Sequence, residues 1–241
     1  MAVYVTGDCH GEWRKLRLLS VQQNLTEDDF IIVCGDFGIW DDSDGRERKA
    51  LNKLAEIRPT VVFVSGNHEN FDRLYSNEFE TIDFHGGKAQ RIGRNVYHLL
   101  RGYVFDFCGK KFFAFGGASS HDMDDGILDP EDYESRSELK KVVKEWQKEN
   151  KMFRIKEEMN FGKEMLAANN NQVDFIISHC CPQQVAAVFS CGLYKADRLT
   201  SYFDEIMENT KFIRWYFGHY HDDRVILGKF VMLYHSFQRV V

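Results

Sequence analysis

The strongest constraint on the fold is the stretch Thr60–Asn70, in which an apolar run stops abruptly at a glycine turn. The run Val61–Val64 predicts a strand buried on both faces, as in a parallel sheet. An amide, an imidazole and a carboxylate follow in succession, at Asn67, His68 and Glu69. In α/β proteins, ligand-binding side chains collect at the carboxyl ends of such strands. The stretch therefore predicts both a sheet and the edge at which its chemistry lies.

Four further segments repeat this arrangement of a short apolar strand followed at once by polar residues. They are Val3–Thr6 before Gly7-Asp8-Cys9-His10, Phe30–Cys34 before Gly35-Asp36, Phe175–Ser178 before His179, and Trp215–Phe217 before Gly218-His219-Tyr220-His221. Asp8 and His10 are two residues apart, as are His219 and His221, and on extended backbone each pair would point to one side. Asp8 taken alone could instead be a turn residue or a helix cap. Cys9 is expected to pack into the core.

The strand ends together offer seven side chains that can ligate a metal. They are Asp8, His10, Asp36, Asn67, His179, His219 and His221. Carboxylate, amide and imidazole ligands without cysteine suit hard to borderline divalent cations and exclude a structural zinc finger. Seven ligands are too many for one ion and suit two, with one carboxylate bridging them. Paired cations ~3.5–4 Å apart stabilise an in-line displacement at phosphorus and lower the pKa of a bound water.

The remaining pattern predicts how the strands are connected. Up to residue 75, three strand–loop–helix units predict parallel pairing with right-handed crossovers. From about residue 92, the segments Val96–Leu99, Gly102–Phe107 and Lys111–Gly116 predict an antiparallel meander in a second sheet, with a hairpin turn at Cys108-Gly109-Lys110. The chain shows no repeat or linker, so a single domain over residues 1–241 is expected.

Two charged segments follow the meander. The acidic loop Ala118–Pro130 contains His121 and four aspartates, which could form a metal site but are better explained as a solvated loop. Residues 131–170 are predicted to be helical, with one apolar stripe through Leu139, Val142, Val143 and Trp146 and a second helix carrying Met159, Met165 and Leu166.

Composition restricts the partners and the compartment. The chain has 241 residues, a net charge of −6 and no apolar run approaching a membrane span, so we expect a cytoplasmic protein with no membrane partner. The six cysteines lack any Cys-x-x-Cys spacing and are expected to be reduced core thiols. The acidic balance disfavours nucleic acid without excluding it. The oligomeric state stays open.

The five polar blocks, taken in order, resemble a known family. Gly7-Asp8-Cys9-His10, Gly35-Asp36, Gly66-Asn67-His68-Glu69, His179 and Gly218-His219-Tyr220-His221 are similar to the signature of calcineurin-like metallophosphoesterases, of the small bacterial or phage type. The resemblance spans most of the chain. It implies an α/β fold, specifically a four-layer α/β/β/α sandwich of two facing mixed β-sheets.

The resemblance also implies a role for each residue. Asp8, His10 and His221 would hold a first ion, Asn67, His179 and His219 a second, and Asp36 would bridge the two. His68 would stabilise the transferring phosphoryl group or protonate the leaving oxygen, and a hydroxide bridging the ions would be the nucleophile. The implied cofactors are two divalent ions, with Mn favoured and Fe, Zn or Ni as alternatives, because the ligand set tolerates all of them.

Departures from the family pattern restrict the substrate. Relatives that dephosphorylate phosphoserine and phosphothreonine carry an aspartate and an arginine where this chain has Ile39 and Trp40, and a further arginine at Ser65. Without those arginines a bidentate grip on a phosphate monoester is lost, so a protein phosphatase of that branch is not expected. An orienting partner for His68 is sought instead at Asp41, Asp42 or Asp72.

The resulting prediction is a dinuclear metal-dependent hydrolase of phosphoric esters, a phosphomonoesterase or phosphodiesterase acting on a small phosphorylated substrate. Two alternatives remain. One is a nuclease of the same fold, which would need a basic groove. The other is a non-catalytic metal-binding scaffold, which typically lacks one of the ligands; none is missing here.

Overall fold

The computed structural model describes residues 1–40, 42–118, 135, 137 and 156–241. The strands are β1 (Val3–Thr6), β2 (Phe30–Val33), β3 (Thr60–Phe63), β4 (Glu80–Phe84), β5 (Gly87–Arg91), β6 (Val96–Leu99), β7 (Val104–Phe107), β8 (Lys110–Phe115), β9 (Phe175–Ser178), β10 (Arg214–Phe217), β11 (Arg224–Ile226), β12 (Phe230–Met232) and β13 (Phe237–Arg239). The helices in these ranges are α1 (Arg14–Gln22), α2 (Arg46–Leu54), α3 (Phe71–Leu74), α4 (Lys156–Ala168), α5 (Gln183–Ser190) and α6 (Arg198–Asn209).

The strands form two mixed sheets. The first has the order β13-β1-β2-β3-β6-β5-β4, with parallel pairing from β1 through β6 and antiparallel strands at both edges. The second has the order β11-β12-β10-β9-β8-β7, with parallel pairing from β12 through β8. Parallel neighbours end on the same side, so β1, β2 and β3 present their carboxyl ends together, as do β9 and β10.

Alternation of side chains along the central strands builds three apolar layers. In β2 and β3, Ile32 and Val62 face the second sheet, while Ile31 and Val61 face the helices α1–α3. In the second sheet, Ile177 and Tyr216 face the first sheet, whereas Ile176, Trp215 and Phe217 pack against α4–α6. Strands buried on both faces need apolar residues at every position, which explains the continuous apolar runs in the sequence. The result is the predicted four-layer α/β/β/α sandwich.

The helices bury one face each. In α1, Leu16 and Leu19 pack beneath the first sheet together with Trp13. In α6, Tyr202, Phe203 and Ile206 pack beneath the second sheet, and an Asp197 capping box closes the start of the helix. The prediction of a helix around Met159, Met165 and Leu166 is confirmed by α4. The apolar stripe from Leu139 to Trp146 lies outside the described residues.

One part of the predicted topology was wrong. The hairpin of β7 and β8 is confirmed, with Cys108 and Gly109 both at positive φ as a tight hairpin turn requires. The segment Val96–Leu99, however, does not join it in a meander, because β6 pairs parallel to β3 in the first sheet. In the sequence, the hairpin of β4 and β5 lies between β3 and β6. The sequence analysis missed it, since its strands alternate with exposed polar residues at the sheet edge.

The cysteines are all free, as expected, but two of them are not core residues. Cys9, Cys34, Cys180 and Cys181 are buried, whereas Cys108 is half-buried and Cys191 is exposed. Cys191 ends α5 with a positive φ, a position at the surface of the turn that follows the helix. Across the described ranges, no helix is both long enough and apolar enough to cross a membrane.

Candidate metal centre

The seven predicted ligands lie in loops directly after β1, β2, β3, β9 and β10, where the carboxyl ends of the two sheets meet. Four of them have a positive φ although they are not glycine: His10, Asp36, His219 and His221. Such backbone costs energy and persists where the surrounding structure requires it, which is common at functional sites. Sharp turns at these four residues let the loops after β1, β2 and β10 bring their side chains together at this edge.

Two glycines let the loops pack tightly against the carboxylates. A Cβ at Gly66 would collide with the Asp36 carboxylate, and a Cβ at Gly218 would collide with that of Asp8. Only glycine fits at these two positions. This explains why glycine precedes Asn67 in one block and His219 in another.

The first cluster consists of Asp8, His10 and His221. The Nε2 atoms of His10 and His221 lie 3.1 Å apart. Asp8 Oδ2 lies 3.7 Å from His10 Nε2 and 3.2 Å from His221 Nε2. Two imidazole nitrogens this close need a proton or a cation between them, and the carboxylate supplies a negative charge. The donor set and its convergence fit a divalent cation.

The second cluster contains His179, Asn67 and Asp36, all buried. His179 Nε2 lies 3.0 Å from Asn67 Oδ1 and 3.3 Å from Asp36 Oδ2. His179 Nδ1 lies 2.8 Å from the carbonyl oxygen of Cys34, which fixes the ring orientation. The His219 ring lies edge-on to His179 with centroids 5.0 Å apart. Asp8, Asp36 and His179 also bring their ligand atoms within 4.8 Å of one another.

Asp36 lies between the two clusters. Its Oδ2 is 3.3 Å from His179 Nε2 and 3.9 Å from His10 Nε2. Its Oδ1 accepts the backbone N–H of His68 at 2.9 Å. One oxygen is therefore held by the turn after β3, while the other faces histidines of both clusters.

The electrostatics of the site favour bound positive charge. Burial raises the pKa of Asp36, but the neighbouring His179 outweighs it and lowers the value to about 2. The same competition lowers the pKa of Asp8, where His179, His10 and His221 outweigh burial. Burial alone would lower the pKa of His179, yet Asp36 and Asp8 raise it to about 10. Two buried carboxylates thus remain ionised and hold a proton on His179 where a cation would otherwise bind.

His68 and Glu69, which follow Asn67, have different positions. His68 is exposed, and its ring lies edge-on to His10 with centroids 5.6 Å apart. Glu69 is buried and accepts the backbone N–H groups of Gly38, at 3.1 Å, and Gly66. Glu69 therefore ties the loop after β2 to the loop after β3. Burial and the nearby Asp36 raise its pKa to about 7.

Of the three candidates for orienting His68, the structure describes Asp42 and Asp72, and neither has a recorded contact with His68. The Asp42 carboxylate accepts the backbone N–H of Arg48 at 2.9 Å, and Asp72 is exposed in the first turn of α3. Asp41 lies outside the described residues, as do His121 and the acidic loop around it.

Extended backbone does not explain how the residues of the pairs Asp8/His10 and His219/His221 are placed, contrary to the prediction. Asp8 and His10 do meet in one cluster, but the chain turns sharply at His10, with φ of 47°. His219 and His221 do not point to the same place, because His219 lies against His179 whereas His221 lies against His10 and Asp8. The expectation for Cys9 is confirmed, since it is buried in the core.

Two charged residues that support the site were missed by sequence reasoning. Lys15 donates from Nζ to the carbonyl oxygens of Gly7, Asp8 and Tyr234 at 3.1, 2.6 and 2.8 Å. Asp223 accepts the backbone N–H groups of Tyr234, His235 and Ser236 at 2.9 to 3.2 Å. The Tyr234 ring in turn stacks on His221 with centroids 4.5 Å apart. Neither Lys15 nor Asp223 stands out in the sequence, because each lies in an ordinary polar stretch.

An arginine from another part of the chain, Arg101, lies next to Ser65, one of the two positions where the protein phosphatases carry an arginine. Arg101 reaches Ser65 from the second half of the first sheet, with Nη2 3.3 Å from Ser65 Oγ. Its side chain is only 3% exposed and its Nη1 pairs with Glu158 at 2.9 Å. Because its guanidinium is buried, Arg101 supports the loop at Ser65 from inside the protein and is not exposed at the open side of the site.

The fold and the site together define a sandwich of two sheets with a carboxylate–histidine cluster at their shared edge. The family model for calcineurin-like phosphoesterases matches residues 1–223. The chain therefore belongs to the calcineurin-like phosphoesterase family. Membership implies metal-dependent hydrolysis of phosphoesters. The model extends over all five polar blocks named in the sequence analysis.

Other comparisons add little. No curated protein matches the chain. Ten chains of known structure match it. One of them is 11% identical in sequence, with an alignment that covers 97% of this chain and 90% of that one and a TM-score of 0.44. A similarity of that size carries no argument about function.

Proposed function

We propose that this chain is a dinuclear metal-dependent hydrolase of small phosphoric esters. Asp8, His10 and His221 would hold one divalent ion, and Asn67, His179 and His219 would hold the other. Asp36, which lies between the two clusters, would serve both ions. The observation that carries the proposal is the position of Asp36 Oδ2, 3.3 Å from His179 Nε2 and 3.9 Å from His10 Nε2. A carboxylate oxygen directed at histidines of two adjoining clusters suits a pair of ions better than one.

The bound ions would neutralise charge on the phosphoryl oxygens and lower the pKa of water, with Mn as the favoured metal. The oxygen of water forms a bond to phosphorus and gives up one proton to the solvent as the bond from phosphorus to the ester oxygen breaks. The leaving oxygen needs a proton, and His68 is well situated to supply it, since it is exposed beside His10. Its backbone N–H bond to Asp36 keeps it next to the bridging carboxylate.

The support for a small substrate, as opposed to a phosphoprotein, is that two sequence positions lack the arginine that would bind the phosphate. Trp40 and Ser65 stand where protein phosphatases of this family carry arginine, and Arg101 is buried. The natural substrate is then held mainly by the ions and by contacts to its organic part.

The test is turnover of p-nitrophenyl phosphate and bis-p-nitrophenyl phosphate by the full chain. We expect hydrolysis of at least one of the two with Mn²⁺, loss of activity with a chelator and recovery on adding Mn²⁺ back. Activity that is unaffected by chelation contradicts the metal-dependent mechanism. A chain that binds Mn²⁺ but hydrolyses neither ester is instead a metal-binding scaffold.

A further inference from the structure

Trp40 is exposed in a protein that buries its other described tryptophans. Its exposed fraction is 45%, whereas Trp13 and Trp215 are 4% and 0% exposed. Leaving a large aromatic ring in water forgoes the free energy that its burial would give. Within the described ranges no aromatic ring stacks on Trp40. The indole is therefore available for contact with a ligand at the sheet edge where the candidate site lies.

The indole lies beside the first cluster. It covers Gly11, the residue after His10, so closely that a Cβ at Gly11 would lie 3.6 Å from its six-membered ring. Gly38 packs directly on the Gly11 backbone, which brings the loop after β2 over the turn after β1. Trp40 thus lies against the residue that follows His10, whose ring meets His221 edge-on.

The backbone of Trp40 is held at both ends by other side chains. Its N–H donates to Glu47 at 2.7 Å. Its carbonyl oxygen accepts from Asn70 at 2.9 Å and from Arg73 at 3.1 Å. Arg73 also pairs with Glu47 at 2.9 Å, so the holding groups bind one another. The backbone that carries the ring is therefore held in place, and among the described residues the ring is left 45% exposed, which lowers the entropy lost when a ligand contacts it.

We propose that Trp40 is the platform on which an aromatic group of the substrate stacks, so that the substrates are phosphoesters whose organic part includes a flat ring. This inference rests on the proposed function and names its substrate class. Stacking of a planar group on an indole face tolerates many ring types. Because positions 40 and 65 lack the arginines that would bind the phosphate, contacts to the organic part carry more of the binding. Stacking on Trp40 supplies such a contact. Trp40 is a specificity-determining residue and takes no part in the bond changes.

The experiment compares wild type with Trp40→Ala and Trp40→Phe as manganese-loaded full chains. Binding of phenylphosphonate and of methylphosphonate is measured by calorimetry, since neither has an ester bond to hydrolyse. Steady-state turnover is measured on phenyl phosphate and on ethyl phosphate. Ile213→Ala removes an apolar side chain of similar exposure, 56% against 45%, at the amino end of β10 and away from the candidate site, and serves as the control. The backbone bonds of residue 40 do not need the indole, so the loop is expected to keep its shape.

Trp40→Ala is expected to weaken phenylphosphonate binding about tenfold, a typical loss for removal of one stacking contact. Methylphosphonate binding should change by less than about twofold, and Trp40→Phe should retain most of the affinity for the aryl ligand. The turnover data should show the aryl-specific loss in KM rather than in kcat. Equal losses for both ligands, or none, overturn the proposal. If the wild type hydrolyses neither of the two p-nitrophenyl esters, the proposed function fails; if it hydrolyses at least one of them but Trp40→Ala has no aryl-specific effect on phosphonate binding, only the stacking inference fails.

Discussion

Asp36 Oδ2 and His179 Nε2 lie 3.3 Å apart, although the two residues follow strands of different sheets. Both are buried, Asp36 after β2 and His179 after β9. Their contact joins the carboxyl edges of the two sheets and creates a charged centre that neither sheet could form alone. The predictions below begin from this pair.

Asp36→Asn removes the negative charge from the proposed bridging position without changing its shape. We expect kcat/KM with Mn²⁺ to fall by more than about 100-fold, since loss of a ligand exceeds the typical effect of changing an outer partner. Steady-state kinetics on p-nitrophenyl esters measure it. Asp83→Asn, at an exposed position of β4, is the matched control and should leave activity unchanged. Near wild-type activity in Asp36→Asn would exclude a bridging role.

Metal binding should release protons near neutral pH. His179 has a pKa raised to about 10 in the metal-free chain, against burial, by Asp36 and Asp8. A cation that binds at its nitrogen must displace this proton, so the apparent affinity rises with pH up to that value. Calorimetric titration with Mn²⁺ at pH 7 should therefore give heats that differ between buffers of different ionisation enthalpy. His85→Gln, at an exposed histidine, should not alter the number of protons released. Identical heats in both buffers would show that His179 is already neutral.

His98 should make the folded state sensitive to acid. Burial and the nearby Arg101 lower its pKa from 6.5 to about 3. The unfolded state then binds the proton more readily than the folded state between these values, so stability rises with pH from 3 to 6.5 and falls as pH drops through that window. Between pH 7 and pH 5 the loss attributable to His98 is about 2 kcal/mol.

Urea unfolding at the two pH values checks this, with the wild type compared with His98→Gln. Between pH 7 and pH 5, the free energy of unfolding of the wild type should fall by about 2 kcal/mol more than that of His98→Gln. His85→Gln should follow the wild type, because His85 is exposed in both states. A difference that does not change with pH would mean that His98 is not held neutral by the fold.

Replacing Arg101 should lower the free energy of unfolding far more than replacing an exposed arginine. Its guanidinium is buried between Glu158 and Ser65, at 2.9 and 3.3 Å. Arg101→Met leaves the Glu158 carboxylate partly buried without this partner, and the free energy of unfolding should drop by about 3 kcal/mol. Chemical denaturation measures the drop.

Arg91→Met is the control for that experiment. Arg91 forms an exposed ion pair with Glu80 at 3.3 Å, which is worth at most about 1 kcal/mol. Comparable losses in the two variants would show that the Arg101 pair is not specially important.

Sequence reasoning succeeded where a residue's environment is set by its strand. Runs such as Val61–Val64 identified buried parallel strands, and their ends identified the residues that meet at the candidate metal centre. It failed where contacts depend on distant segments. The pairing of β6 with β3 depends on a polar edge hairpin, and the support from Lys15 and Asp223 depends on backbone groups that come together only in the folded chain. The positive φ at His10 and His221 is likewise a property of the packed loops.

The most direct test of the account is a crystal structure of the full chain grown with Mn²⁺, with the ions located by anomalous scattering. The account predicts two ions ~3.5–4 Å apart, one beside His10 and His221 and the other beside His179, with the Asp36 carboxylate touching both. A single ion, or a pair that Asp36 does not touch, would contradict it.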